Sequence, residues 1–330
     1  MAARPVLPGL GTPVRARRRR VGSGGAGLLP LAGAGVALAL VASAALPREA
    51  SWLAALAVVI GLGVPHGALD GAVAAPLLRP RFGRAWFGVF AVPYLGLAGL
   101  VLLAWHVAPM ATLAGFLALS VLHFGEEDAG PGRPLEILVR GGLPVALPAL
   151  LRPEETAGLF AAVTRLPMPL LPGWWVAASW LWLALAAYWV LVQARSWSVR
   201  GEIAALAAAF WLLPPLTAFT LYFVGLHGPR HMRALVNDPT RAPGIDSLGK
   251  AVRASLPVFG LTLLLGAALW PLYAAGSGSG SSSGAGTLLC LTLRMLSALT
   301  VPHVLLDRIA ARSPAVQAAG GVTGSATNLA

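Results

Sequence analysis

The chain has 330 residues, of which 57% are apolar and only 11% charged, whereas a soluble domain carries about 25% charged residues. Too little polar surface is left to cover a core of that size, so a water-soluble globule is excluded and the apolar runs read as spans of roughly 20 residues. The net charge of +12 is nearly all arginine, set in short segments between apolar runs, which argues against a nucleic-acid face; the single Cys290 excludes an intramolecular disulfide framework and a cysteine metal cage.

Residues 1–27 are rich in Arg, Gly and Pro, with Arg15 and then Arg17 to Arg20, and read as a disordered basic tail. The apolar stretch 28–46, with Ala-Ser-Ala at 42–44, has the pattern of a signal peptide. Further spans follow, so it reads as a retained signal anchor. They are predicted at 51–68, 85–107, 110–124, 136–151, 174–194, 201–213, 216–232, 254–275 and 286–305. Pro214-Pro215 divides the stretch 201–232, because proline lacks the backbone donor and clashes with the preceding turn. With this break and the N-terminus inside, nearly all of the 24 Lys and Arg fall on one side, as the positive-inside bias requires. Only Arg48, Arg152 and Arg165 fall on the other, and Arg294 lies within a span. Without the break, the group from Arg230 to Arg253 would move outside. The Gly/Ser run 276–284 then reads as an external loop. The predicted fold is all-α, a polytopic transmembrane bundle of about 8–10 spans in the cytoplasmic membrane. Its helical domain covers 28–310, and 311–330 form a C-terminal tail.

Five of the six histidines fall at the inner ends of four spans. His66 lies in Val-Pro-His-Gly-Ala-Leu-Asp, His123 in His-Phe-Gly-Glu-Glu-Asp, and His303 in Val-Pro-His-Val-Leu-Leu-Asp. His227 and His231 form His-Gly-Pro-Arg-His, and His106 alone falls at an outer end. Several imidazoles at one membrane depth, without cysteines, suit a first-row metal such as iron, zinc or copper. Ionisable groups in spans are costly and usually functional. His227 and His231, four apart, share a helix face, although Pro229 puts a regular helix there in question. A lone histidine near a helix end is more often an interfacial residue, and His106 is read that way.

Asp70 follows His66 by four residues, Asp307 follows His303 by four, and Asp128 follows His123 by five. A carboxylate beside a ligating imidazole fixes its tautomer. The alternative is an interfacial acid paired with arginine, such as Asp307 with Arg308. Phe124, Tyr222 and Phe223 are candidates to line an apolar pocket and offer π-faces to a developing cation, against the alternative of interfacial anchoring and packing.

These segments resemble the Brp/Blh family, the bacterial and archaeal membrane β-carotene 15,15′-dioxygenases. The resemblance rests on Pro65-His66-Gly67 with Asp70, His123-Phe124-Gly125 with Asp128, and Arg140-Gly141 before Pro144. It continues through Tyr222-Phe223, His227 and Arg230-His231 to Pro302-His303 with Asp307, covering roughly 55–310. It implies an enzyme that splits the central double bond of β-carotene with O2 into two molecules of retinal, using non-haem Fe(II). The ligands it implies are His66, His123, His227 and His231, with His303, Asp70, Asp128 and Asp307 as supporting candidates. β-carotene and O2 are then the substrates, the lipid bilayer delivers the carotenoid laterally, and a functional link to a retinal-binding rhodopsin is left open. Gly228-Pro229 and the 276–284 insertion depart from the expected pattern. A desaturase-type di-iron enzyme needs more histidines than the six present. A transporter or proton-relay protein would spread polar residues through the depth of its spans, and a relative acting on another carotenoid would share these motifs.

Overall fold

A computed structural model describes residues 28–130, 132–194, 196–275 and 283–312. The predicted basic tail, the C-terminal tail from 313 onward and most of the Gly/Ser run lie outside the described residues. Every regular element among them is helical. The chain begins with α1 (Leu28–Ser43) and α2 (Arg48–Val58), then a π-helical turn (Val59–Gly63) leads into α3 (Val64–Gly67). Next come α4 (Asp70–Phe82), a 3-10 turn (Gly83–Ala85) and α5 (Trp86–Val107). They are followed by α6 (Pro109–Ala129), α7 (Pro134–Leu151), α8 (Pro153–Thr164) and α9 (Gly173–Tyr188), which ends in a π turn (Trp189–Gln193). After α10 (Trp197–Leu212), α11 (Pro215–Tyr222) passes through a third π turn (Phe223–His227) into α12 (Gly228–Asn237). The last two helices are α13 (Leu248–Ala275) and α14 (Gly284–Ala311).

Proline sets many of these starts. It is the first residue of α6, α7, α8 and α11, where its missing N–H costs no intrahelical bond and its fixed φ suits the helix. Pro214, in extended conformation with ψ 145, separates α10 from α11, so the predicted division of 201–232 falls where proline chemistry puts it. Two helices, α4 and α8, match no predicted span. The former carries internal Pro76 and Pro80 beside Arg79 and Arg81, and the latter has only 12 residues.

Among the described residues, six helical runs are long and apolar enough to cross a membrane, making this a multi-pass membrane protein. They are Arg48–Val107, Pro109–Ala129, Pro134–Leu151, Gly173–Gln193, Leu248–Ala275 and Gly284–Ala311. The helix α13 is inside-out: only Ala251 and Ser255 of it are buried, while Leu261, Leu264 and Leu272 are exposed. A surface of that kind suits a hydrocarbon surrounding. The run through α11, the π turn and α12 is the opposite. It is too polar to span on its own account, and Leu216, Thr217, Thr220, Tyr222, Phe223, His227 and His231 are all buried. It forms an inner pillar wrapped by its neighbours.

Small residues let neighbouring helices around it close on one another. A Cβ placed on Gly125 would collide with the Ile137 carbonyl, and one on Gly141 with the Val121 carbonyl. The α6 and α7 backbones therefore touch along this seam. On the far side, buried Arg294 of α14 donates from Nε to Val163 O at 2.8 Å and from Nη2 to Thr164 O at 3.2 Å, satisfying carbonyls that the end of α8 leaves open. Trp105 Nε1 donates to Ser297 Oγ at 2.6 Å, pinning α5 to α14.

Candidate metal centre

Five histidines from four parts of the chain meet in one buried cluster. His66 sits on α3, His123 on α6, His227 closes the third π turn, His231 lies on α12 and His303 on α14. All five are buried, and His227 is 0% exposed. Ring centroids lie 5.1 Å apart for His123 and His227, and 5.2 Å for both His123–His303 and His231–His303. His66 stands 5.3 Å from His227 and 5.6 Å from His231. His106, on exposed surface at the end of α5, takes no part.

The π turns aim two of these rings. A π turn adds a residue to the helical repeat and rotates the residues beyond it, and such turns recur at functional sites. One precedes His66 and another ends at His227. The two turns touch: a Cβ on Gly63 would lie 2.5 Å from the Phe223 ring. Pro229 therefore sits at the start of α12, where proline is tolerated, and His227 and His231 still converge.

Most rings have one nitrogen already committed. His66 Nδ1 pairs with Gly63 O, leaving its other nitrogen for the cluster. His303 Nδ1 lies 2.7 Å from Asp70 Oδ1, and Tyr94 OH donates to Asp70 Oδ2 at 2.7 Å. Such a carboxylate holds the ring and its tautomer, as around metal-binding imidazoles. Asp70 thus meets His303 across the bundle and not the nearby His66. His231 Nδ1 lies 2.7 Å from Glu127 Oε1. His227 Nδ1 lies 3.2 Å from Glu127 Oε2, yet without hydrogen-bond alignment, so both atoms stay unpartnered.

Asp128 faces elsewhere. It accepts from Arg230 at 2.6 Å and from Tyr222 OH at 3.0 Å. Arg230 also donates to Glu202 at 2.5 Å, and Glu202 accepts from Arg140 at 2.9 Å. This chain of ion pairs ties α6, α7, α10 and α12 together beside the histidines. Asp307 pairs with Arg241 at 2.7 Å and has its other oxygen 3.9 Å from His303 Nε2.

The donor set fits a metal ion. Both nitrogens of His227, His303 Nε2 and Glu127 Oε2 are buried without a hydrogen-bond partner, and each such atom costs about 1–3 kcal/mol unless something satisfies it. Donor atoms of His123, Glu127 and His227 lie within 4.8 Å of one another, as do those of Glu127, His231, His303 and Asp307. His66 adjoins both sets as a ring neighbour and belongs to neither. Of the aromatic candidates, Phe223 stacks on His227 at 5.5 Å and lines a cavity. Phe124 lies behind His227, its ring 4.7 Å away, and Tyr222 is fully buried at Asp128.

Sequence reasoning passed over three residues here. Glu127 had a readable signal, since it follows His123 by four residues and so shares its helix face. Glu202 and Tyr94 had none, because their partners come from distant helices.

The cluster opens on an apolar cavity of about 160 Å³ lined by His66, His123, His227 and His303, with Phe90 and Tyr94 of α5 and Leu261 of α13 among its walls. A second apolar cavity, of about 240 Å³, shares Val64, Thr262, Leu296 and Leu299 with the first and continues between α13 and α14 to Trp270.

Comparison with known proteins gives a consistent picture. A family model described as beta-carotene 15,15′-dioxygenase matches residues 57–309. A probable beta-carotene 15,15′-dioxygenase of Halobacterium salinarum is 29% identical, the match covering 94% of this chain and 99% of that one. A beta-carotene 15,15′-dioxygenase of an uncultured marine bacterium is 31% identical over 54% of this chain and 66% of its own length. No solved structure matches.

Proposed function

The chain belongs to the beta-carotene 15,15′-dioxygenase family of enzymes, and from that premise we propose that it cleaves the central double bond of β-carotene with O2, giving two molecules of retinal at a non-haem iron centre. The observation that carries this reading is a buried histidine cluster facing an apolar cavity walled by α13, the least buried of the candidate spans. A polyene partitions into hydrocarbon and meets such a cavity from the side, with no aqueous step. The adjoining cavity that reaches Trp270 suits a long chain held with its middle at the histidines.

His66, His123, His227 and His231 are the proposed ligands, and the iron supplies the O2 chemistry when bound. The protein's own residues do the rest. Asp70, held by Tyr94, fixes the His303 ring; Glu127 orients His231. Phe223 presents its ring beside His66 at 5.0 Å, where a π-face stabilises positive charge developing on the polyene. The apolar walls keep water from the cleaved bond. A proton relay would need polar groups strung along a path, whereas these titratable side chains gather around one point. The positive-inside pattern puts the N-terminus and the histidine cluster toward the cytoplasm.

Expression in bacteria that accumulate β-carotene tests the reading. Bleaching with retinal as the chromatographed product supports it; unchanged colour rejects it. Longer or unequal aldehydes would reject the central position or point to a different carotenoid.

A further inference from the structure

Two polar cavities adjoin at the other end of the bundle. The helical run that reaches His66 begins at Arg48, and the run that reaches His227 begins at Pro215. Between these starts and that of α8 lies a cavity of about 340 Å³, lined by Arg48, Ser51, Arg152, Glu155 and Pro214 among others. A second, of about 360 Å³, shares Arg152 and Glu155 with it and adds Glu154 and Trp211. Of the three arginines that the charge pattern puts on this side, two share the first cavity. Arg152 donates from Nη1 to Glu155 at 2.8 Å and from Nη2 to the Trp211 carbonyl at 3.1 Å. Arg48 makes no ion pair or hydrogen bond among the described residues. No side chain caps α2, α8 or α11, so their first-turn N–H groups add partial positive charge.

A buried hydroxyl also lacks an acceptor here. Ser51 and Thr217 are 3% and 0% exposed, and their hydroxyls bond only each other, at 3.4 Å. One of the two donates in that bond, so the other proton has no acceptor among the described residues. An anionic oxygen in the first cavity would answer this proton and Arg48 together. The second cavity has the opposite character, since Glu154 is exposed and unpaired among the described residues, beside a Trp211 ring that is 68% exposed. A cation suits both the carboxylate and the π-face. A simple anion would satisfy one cavity and leave the other unanswered. Both charges side by side on one small group, next to exposed Leu46 and Leu212, describe the headgroup of an aminophospholipid. We propose that the adjoining cavities bind a phospholipid with an ethanolamine headgroup, its phosphate at Arg48 and Arg152 and its ammonium at Glu154 and Glu155. The lipid then braces the starts of the two helical runs whose far ends carry His66 and His227. The inference is independent of the metal reading.

The test is lipid selectivity. The full chain, purified in detergent and freed of lipid, is titrated with short-chain phosphatidylethanolamine, phosphatidylcholine, phosphatidylglycerol or inorganic phosphate. The thermal midpoint is followed by tryptophan fluorescence, and native mass spectrometry counts the lipid retained per chain. A rise in midpoint that is largest with the ethanolamine lipid, and one such lipid retained per chain, are expected. Arg48→Gln and Glu154→Gln each weaken that binding about ten-fold, as the loss of one charge-assisted hydrogen bond does, whereas Arg79→Gln on α4 leaves it unchanged. An equal rise with the choline lipid overturns the pairing of ammonium with glutamate. An equal rise with the glycerol lipid or with phosphate alone shows an anion site only and overturns the proposal, as does no rise with any of the four. Comparing the lipids on the parent needs no variant, so the test stands even where a variant fails to fold.

Discussion

His123 and Glu127 lie one helical turn apart on α6, and that spacing decides which acid of Glu126-Glu127-Asp128 reaches the cluster. Successive residues turn by about 100°, so a residue four on shares the face and one five on points well away. The same rule keeps Asp307 beside His303 on α14, but the turn at 68–69 interrupts the helix between His66 and Asp70, and Asp70 pairs instead with His303 of α14. The histidines were legible as a group, since buried imidazoles without cysteines have few other uses. Their carboxylate partners were not, because the hydrogen bonds of His231 with Glu127 and of His303 with Asp70 join residues 104 and 233 positions apart. Two predictions belong here. Alanine at His66, His123, His227 or His231 abolishes retinal formation in carotene-accumulating cells, whereas His106→Ala leaves it unchanged. Arg230→Met strands the Asp128 carboxylate, whose side chain is 3% exposed. A fully buried pair broken this way costs about 3–5 kcal/mol, and with Arg230 30% exposed the loss should be nearer to about 2 kcal/mol, read as a lower thermal midpoint in detergent.

Helix identity could be read from apolar run length, and the one proline break read in the sequence, at Pro214-Pro215, coincides with the start of α11. The π turns could not, since nothing in Val-Ile-Gly-Leu-Gly or Phe-Val-Gly-Leu-His marks an extra residue per turn. Nor did run length reveal α4 and α8, which are too short or too polar to register as spans. The seam between α6 and α7 explains why Gly125 and Gly141 accompany the histidine motifs. Gly125→Ala or Gly141→Ala forces the two backbones apart, at about 1–3 kcal/mol or more by overpacking. Both should lower the thermal midpoint and the iron content together. Gly115→Ala, with open space around its Cβ on the same helix, should be neutral or slightly stabilising.

At the level of the whole molecule, composition alone required a membrane protein, and the exposed leucines of α13 meet that requirement directly. Composition did not reveal the inner pillar from Pro215 to Asn237, which reads as a span by its apolar half and serves as the enclosed support for two histidines. The pair of cavities adjoining at Thr262 is likewise a property of the assembled bundle. Thr262→Phe should block the junction of its two cavities and raise KM for β-carotene about ten-fold, equivalent to about 1.4 kcal/mol, with iron content unchanged.

The proposed function stands or falls on iron held by the buried imidazoles. Retinal yield from the purified protein is therefore measured before chelation, after chelation, and after Fe(II) or Zn(II) is returned. Loss on chelation, recovery with Fe(II) and none with Zn(II) are expected; retinal formation that persists in the metal-free protein would contradict the histidine-held iron.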